Sequence, residues 1–168
     1  MIYKLFRILS DNEIDSIRSE ATALDTALLF TDHTDDVTYQ ANGSLRNGKT
    51  CWIQHHDHTK LLYKEFIPTT MSIVEEISHI EGLSKIGRFY FHRLSPGNRI
   101  YEHKDVNSYH EQVYRYQIYL DVPAGLHIMH NGPTFTDGAV IRFDHHSLHQ
   151  YYNDTDTCVT FIVFDLYK

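Results

Sequence analysis

The stretch that decides the fold reads Arg88-Phe89-Tyr90-Phe91-His92-Arg93-Leu94, then Ser95-Pro96-Gly97-Asn98, then Arg99-Ile100-Tyr101-Glu102-His103-Lys104-Asp105. The first run is aromatic and typical of a strand. The second run has the composition of a turn. The third resumes a strand-like pattern, so we predict a strand, a tight turn and a second strand at this place in the chain.

The sequence after this stretch also alternates between strand-like runs and turns. Further strand-like runs follow at 113–121, 126–130, 138–143, 147–152 and 158–166, and turn-forming residues separate them. Short strands at regular spacing are typical of a sandwich or barrel rather than of alternating βαβ units. We therefore predict a β core over residues 83–168.

The first 82 residues are predicted to be mainly helical. A capping box, Ser10 followed by Glu13, opens an apolar periodic stretch that predicts a helix to about residue 25. A second helical region covers roughly residues 59–80 and is interrupted or restarted at Pro68. With two N-terminal helices packed on the β core, the chain is predicted to be a single domain, 1–168, of the mainly β (α+β) class.

Composition excludes several classes of function. The formal net charge is −7 and there is no run of Lys or Arg, so we expect neither a nucleic-acid nor a membrane partner. The N-terminus has no long apolar run, which predicts no signal peptide and no membrane span. Cys51 and Cys158 are far apart in sequence and are interpreted as reduced thiols, so a cytoplasmic protein is expected. No oligomeric state is predicted.

Three side chains have the chemistry and spacing of a metal site. His103 and Asp105 lie at the end of a predicted strand, where alternation puts them on the same face. His149 lies in a later strand-like segment and can complete the set. Two histidines and one carboxylate leave positions open on an octahedral ion, which suits iron(II) that must bind co-substrate and dioxygen. A structural zinc site would take four protein ligands instead.

The third ligand has competitors in sequence. His145 and His146 stand close to His149, and the position of His149 after Phe143-Asp144 favours it. The sequence leaves this choice open. The two other histidines are alternatively interpreted as groups that support the ligands or line the opening of the site.

A second His-x-Asp pattern, His55-His56-Asp57, precedes the second helix and has no strand–turn–strand frame. It is interpreted as part of a polar loop. The nearby residues 31–50 are also predicted to be loop, with one edge strand from Val37 to Ala41. A rival scheme would combine this second pattern with His103 or His110, and the better context of His103 argues against it.

Residues 88–165 resemble the 2-oxoglutarate-dependent oxygenases and, within them, the aspartyl/asparaginyl β-hydroxylase family. The matching segments are Leu94 to Asp105, Tyr114 to Leu120, Gly138 to Asp144, Ser147-Leu148-His149, Asn153 and the apolar run to Asp165. The resemblance implies a double-stranded β-helix (jelly-roll, cupin-like) fold with Fe(II), 2-oxoglutarate and dioxygen. It implies a dioxygenase that couples 2-oxoglutarate decarboxylation to hydroxylation of an unactivated carbon, with His103, Asp105 and His149 as catalytic metal ligands.

The resemblance also implies residues for the co-substrate. Arg115 matches an arginine of the family that helps to hold a 2-oxoglutarate carboxylate, and an internal ion pair is the alternative interpretation of this charge. Gln117 stands where the family often has a histidine. The family also has an arginine shortly after the distal histidine, whereas this chain has Cys158-Val159-Thr160. The anchoring charge is then expected from Arg115 or Arg142, for which an internal ion pair is again the alternative.

The implied substrate is an aspartyl or asparaginyl side chain, or another amino-acid side chain, in a peptide or as a free small molecule. The loops at about 31–58 and 106–113 are predicted to face it. The missing arginine motivates one alternative function, which is a jelly-roll metal-binding or small-molecule-binding module without oxygenase activity.

Overall fold

A computed structural model of the chain describes residues 3–32, 48–55, 61–122, 126–128 and 135–168. These residues form two α-helices, two short 3₁₀ turns and a set of strands. The helices are α1 (Asp11–Thr26) and α2 (Pro68–Glu81), and the 3₁₀ turns are Lys64–Phe66 and His110–Gln112. The strands are β1 (Tyr3–Ile8), β2 (Thr31–Asp32), β3 (Gly48–Gln54), β4 (Ile86–Leu94), β5 (Arg99–His103), β6 (Val113–Leu120), β7 (Leu126–Ile128), β8 (Ala139–Phe143), β9 (His149–Asn153) and β10 (Val159–Tyr167).

The strands form two antiparallel sheets. The larger has seven strands in the order β1-β8-β6-β10-β4-β3-β2, and the smaller has three in the order β5-β9-β7. The sheets pack face to face, because Ile100 and Tyr151 of the smaller sheet share an apolar cluster with Tyr119 and Phe161 of the larger. The rings of Tyr151 and Phe161 stack with centroids 5.1 Å apart. This arrangement confirms the predicted mainly β jelly roll.

The opposite face of the larger sheet is covered by the two helices. Alternation along the strands sends every second side chain to this face. The shared cluster contains, among others, Ile17 and Leu24 of α1, Ile73 and Ile77 of α2, and Phe89, Phe91 and Phe164 of the sheet. Two N-terminal helices therefore pack on the β core as predicted. Among the described residues, neither helix has the length and apolar character that crossing a membrane requires.

The two helices begin at residues that the sequence marks. The capping box at α1 is present, since the Ser10 hydroxyl accepts from the Glu13 N–H and the Glu13 carboxylate accepts from the Ser10 N–H. α2 begins at Pro68, where the helical region predicted over roughly 59–80 was expected to be interrupted or restarted. Before it, residues 61–67 contain the 3₁₀ turn Lys64–Phe66 and no α-helix, and residues 59–60 lie outside the described part of the chain. The fixed φ of proline suits the first helical position, and its ring disfavours helical backbone in the residue before it.

Residues 1–82 also contribute strands, which the sequence analysis does not predict. β1 pairs with β8 and β3 pairs with β4, so both extend the larger sheet. The burial of β1 is mixed, and Lys4 is exposed. Its sequence therefore lacks the regular alternation of apolar and polar residues by which a strand is recognised. The predicted edge strand from Val37 to Ala41 lies outside the described residues.

A buried carboxylate of α1 caps α2. Glu20 is 6% exposed and accepts hydrogen bonds from the Thr69 N–H, the Thr70 N–H at 3.1 Å and the Thr70 hydroxyl at 2.6 Å. We expect Glu20→Ala to lower the free energy of unfolding by about 1–3 kcal/mol, because buried donors lose their acceptor. Urea unfolding measures this loss. The exposed Glu75 of α2 is the control, and Glu75→Ala should stay within about 0.5 kcal/mol. Equal losses in the two variants would contradict the capping role.

Candidate metal centre and adjacent pocket

The three predicted ligands come together between neighbouring strands of the smaller sheet. His103 at the end of β5 pairs directly with His149 at the start of β9, and their ring centroids are 4.2 Å apart. Asp105 lies two residues beyond His103 and turns to the same side. One ligand atom from each of the three residues lies within 4.8 Å of the others. Cross-strand pairing and the short extension past β5 thus produce a three-ligand cluster.

Backbone carbonyls fix how the two rings are presented. The Nδ1–H of His103 donates to the Tyr101 carbonyl at 2.7 Å, and the Nδ1–H of His149 donates to the Ser147 carbonyl at 2.9 Å. Each ring therefore turns its Nε2 towards Asp105, at 3.8 Å for His103 and 3.9 Å for His149. Burial, and then the neighbouring His103, lower the pKa of His149 to about 4. Its imidazole is neutral near pH 7, as metal binding requires.

Asp105 is held by a backbone carbonyl and by an arginine. It is 3% exposed, its N–H donates to the His145 carbonyl at 2.9 Å, and its carboxylate forms an ion pair with Arg115. Arg115 also binds Asp165 through two parallel hydrogen bonds of 2.8 and 2.9 Å. Burial lowers the pKa of Arg115, but Asp165 and Asp105 raise it, and it lies well above its ordinary value. The guanidinium stays charged and links the ligand to a second carboxylate.

Asp165 is itself enclosed by hydrogen-bond donors. It is completely buried, and it accepts from the Tyr109 hydroxyl at 2.9 Å in addition to Arg115. The Tyr109 oxygen in turn accepts from the Arg88 N–H at 2.7 Å. The sequence analysis missed this layer. The sequence does contain a signal for it. Asp165 is the single carboxylate in the apolar strand β10, just as Arg115 is the single cation in β6, and each buried charge needs a partner.

A narrow pocket extends from the ligand cluster into the space between the sheets. Besides the ligands and Arg115, it is lined by Tyr90, His92, Ile100, Gln117, Tyr151, Phe161 and Val163. Its volume is about 20 Å³, which is room for roughly one water. A five-carbon acid can enter this pocket only if some of these side chains move.

The sequence model of the Aspartyl/Asparaginyl beta-hydroxylase family matches residues 11–168. The chain belongs to this family. Membership confirms the predicted class of enzyme, a hydroxylase. No curated protein is significantly similar to this chain in sequence.

Solved structures of other oxygenases share the fold of this family member. A Pseudomonas putida prolyl-4-hydroxylase aligns with TM-score 0.65 and 12% identity over 99% of this chain and 92% of that one. A Trichoplax adhaerens prolyl hydroxylase, solved in complex with a peptide fragment of hypoxia inducible factor, aligns with TM-score 0.69 and 12% identity over 98% and 83%. A viral collagen prolyl hydroxylase from Paramecium Bursaria Chlorella virus-1 gives 0.62 and 16% over 99% and 96%. At these identities the likeness shows the fold.

The two predicted co-substrate residues of β6 both border the pocket, but other protein groups engage them. Arg115 is in the internal ion pair that was its alternative interpretation. The amide nitrogen of Gln117 donates to the Tyr151 hydroxyl at 2.7 Å, and its oxygen accepts from the Tyr119 hydroxyl. Gln117 therefore links Tyr119 to Tyr151 in a chain of buried hydrogen bonds beside the pocket.

Arg142 lies on the wrong face of the larger sheet for the predicted role. Its neighbours Ile141 and Phe143 belong to the cluster between the sheets, so alternation turns Arg142 towards the helices. There it donates to Glu81 of α2 at 2.9 Å and stacks over the Tyr114 ring. This placement contradicts the prediction that Arg142 anchors the co-substrate and agrees with its alternative, an internal ion pair.

The other histidines that the sequence offered as ligands lie away from the cluster or make other contacts. The ring of His145 turns to the His110 carbonyl, with its Nε2 3.1 Å from that oxygen, and His146 lies against His145 rather than the cluster. His55 contacts the Trp52 ring, while Asp57 lies outside the described residues. Within the described ranges, His103, Asp105 and His149 are the one group of three or more such side chains close enough to share an ion.

Proposed function

We propose that this chain is an Fe(II)- and 2-oxoglutarate-dependent hydroxylase whose metal ligands are His103, Asp105 and His149. The observation that carries the proposal is the convergence of both Nε2 atoms and one carboxylate at a single point, with both Nδ1 atoms tied to backbone carbonyls. Family membership supports the same reaction class.

The residues fit Fe(II) in number and kind. A set of two neutral imidazoles and one carboxylate is the facial arrangement of non-haem Fe(II) oxygenases and leaves coordination positions for co-substrate and dioxygen. When bound, the metal would activate dioxygen, the oxidant that hydroxylates a carbon atom while 2-oxoglutarate is oxidised to succinate and carbon dioxide. The protein holds the imidazoles in one tautomer, positions the carboxylate through Arg115, and shields the centre with the apolar side chains of Phe161 and Val163.

The charges around the cluster favour an anionic co-substrate. The carboxylates of Asp105 and Asp165 both pair with the one guanidinium of Arg115, so the three side chains together carry one net negative charge. A divalent ion brings the sum to one net positive charge. Opposite charge in a buried site favours a bound carboxylate, so the filled metal centre attracts the acid group that must approach it.

We further propose an aspartyl or asparaginyl side chain, in a peptide or as a free amino acid, as the substrate. The family name supports this class, and the Trichoplax relative was solved with a peptide. The cluster is most open at His103, whose side chain is 13% exposed against 3% for Asp105. We infer that the substrate approaches over His103 and the segment 106–113 that follows the ligands.

An anaerobic spectrum tests the proposal most directly. Fe(II) and then 2-oxoglutarate are added to the metal-free protein, and a weak visible charge-transfer band is expected only when both are present. Each addition alone, and both additions to His103→Ala, should give no band. Iron binding without a band would favour the alternative of a metal-binding module without oxygenase activity. No iron binding would refute the proposed ligands.

A further inference from the structure

The loop between β8 and β9, residues 144–148, holds two of the three ligands through its backbone. The Ser147 carbonyl accepts from the Nδ1–H of His149 at 2.9 Å, and the His145 carbonyl accepts from the Asp105 N–H at 2.9 Å. Both carbonyls belong to one short loop. A shift of this loop would therefore move one imidazole and the carboxylate together.

The segment 106–112 continues directly from the ligand Asp105. The side-chain oxygen of Asn107 accepts from the N–H groups of Tyr109 and His110, both at 3.0 Å, and so shapes the 3₁₀ turn that begins at His110. His110 is 2% exposed, which places this turn inside the fold rather than in solvent. Because the chain is continuous, the position of the turn affects the backbone of Asp105.

The side chain of His145 joins the loop to this turn. His145 is 3% exposed, and its Nε2 lies 3.1 Å from the carbonyl oxygen of His110. A carbonyl oxygen can only accept, so the ring carries a proton on Nε2 and donates it. His145 thus holds the chain at Asp105 with its carbonyl and at His110 with its ring.

We propose that His145 is a positioning residue for the metal ligand Asp105, with its ring anchoring the segment 106–112 and its carbonyl fixing the Asp105 N–H. This inference rests on the proposed function. Arg115 restrains the carboxylate end of Asp105, while His145 restrains its backbone end. A ligand that is fixed at both ends before the metal arrives needs less ordering when the metal binds.

Amide hydrogen exchange of the metal-free protein tests the hold on Asp105 without any metal. His145→Leu keeps a buried side chain but removes the donor, so the chain from Asp105 to His110 is held more weakly. The Asp105 amide should exchange about 5- to 100-fold faster, as expected for the loss of one buried hydrogen bond. The amide of Ile118, in a strand paired on both sides, reports on the fold as a whole and should change less.

Fe(II) affinity, measured by calorimetry, should fall about 10- to 100-fold in His145→Leu. His145→Gln places a side-chain N–H near the position of the imidazole Nε2 and should recover most of the affinity. The neighbouring His146 is the matched control, because its ring lies 4.3 Å from that of His145 and makes no hydrogen bond within the described part of the chain. His146→Leu should leave both the exchange of Asp105 and the Fe(II) affinity unchanged.

Three results would count against this role. Unchanged Fe(II) affinity in His145→Leu, with or without faster exchange, would overturn the role of His145 while the ligand assignment stands. Equal loss in His145→Leu and His145→Gln, with Ile118 exchanging as much faster as Asp105, would assign His145 to packing alone. Failure of the unmodified protein to bind Fe(II) would overturn the proposed function and the positioning role with it.

Discussion

Turnover is expected to be lost when Asp105 is replaced by Ala, while the protein stays folded. Asp105 supplies the single carboxylate of the ligand set, so its removal leaves two imidazoles for the metal. The loss should exceed the roughly 10- to 100-fold that follows removal of a group supporting a metal ligand. Succinate formation measures turnover, calorimetry measures Fe(II) affinity, and thermal unfolding checks the fold. Arg115 keeps its paired hydrogen bonds to Asp165, which explains why the fold should survive.

Two matched variants make this result specific. His103→Ala removes another ligand and should behave in the same way. His79→Ala removes an exposed histidine from the last turn of α2 and should leave turnover unchanged. Full activity in either ligand variant would show that the cluster of His103, Asp105 and His149 is not the reaction centre.

The sequence predicted this cluster because its spacing is local. His103 and Asp105 are two residues apart at the end of a strand, which is enough to place both side chains on one side. The choice of His149 over His145 required the structure. Direct pairing of His149 with His103 settles the geometry, and pairing between β5 and β9 is a long-range property that no short window of sequence contains.

The charged residues around the cluster were harder to assign for the same reason. Each arginine in an apolar strand needs a partner, but the partner depends on which strand lies alongside and which face the residue takes. Arg115 pairs across β6 and β10 directly with Asp165. Arg142, on the other face, meets Glu81 of α2. The same register places His92 of β4 opposite Phe161 in the lining of the pocket, whereas a linear pattern shows only a histidine in an aromatic strand.

The missed strands follow from weak local signals. β1 lies at one edge of the larger sheet and β3 lies one strand from the other edge. The inner strands β6 and β10 are almost continuously buried, and their apolar character is visible in sequence. β3 is mixed in composition, with Lys49, Thr50 and Gln54 beside its apolar residues, and becomes a strand through its pairing with β4. Tertiary pairing overrides weak intrinsic preference there.

The buried ion pair behind the cluster should dominate the stability of the β core. Asp165→Asn is expected to lower the free energy of unfolding by about 3–5 kcal/mol, because a buried guanidinium loses its paired carboxylate partner. Asp25→Asn is the control, since Asp25 pairs with Arg93 while 53% exposed, and it should cost about 0–1 kcal/mol. Both losses are measured by urea unfolding of the metal-free protein.

The same substitution should also weaken metal binding, which separates a positioning role from a purely structural one. Without Asp165, the Arg115 guanidinium has Asp105 as its remaining carboxylate partner among the described residues and competes with Fe(II) for that ligand. We expect Fe(II) affinity to fall about 10- to 100-fold. Adding Arg115→Met to Asp165→Asn removes the buried guanidinium that has lost its paired hydrogen bonds and should restore part of the stability. If Asp165→Asn cost no more than Asp25→Asn and left Fe(II) affinity unchanged, Arg115 would not position Asp105.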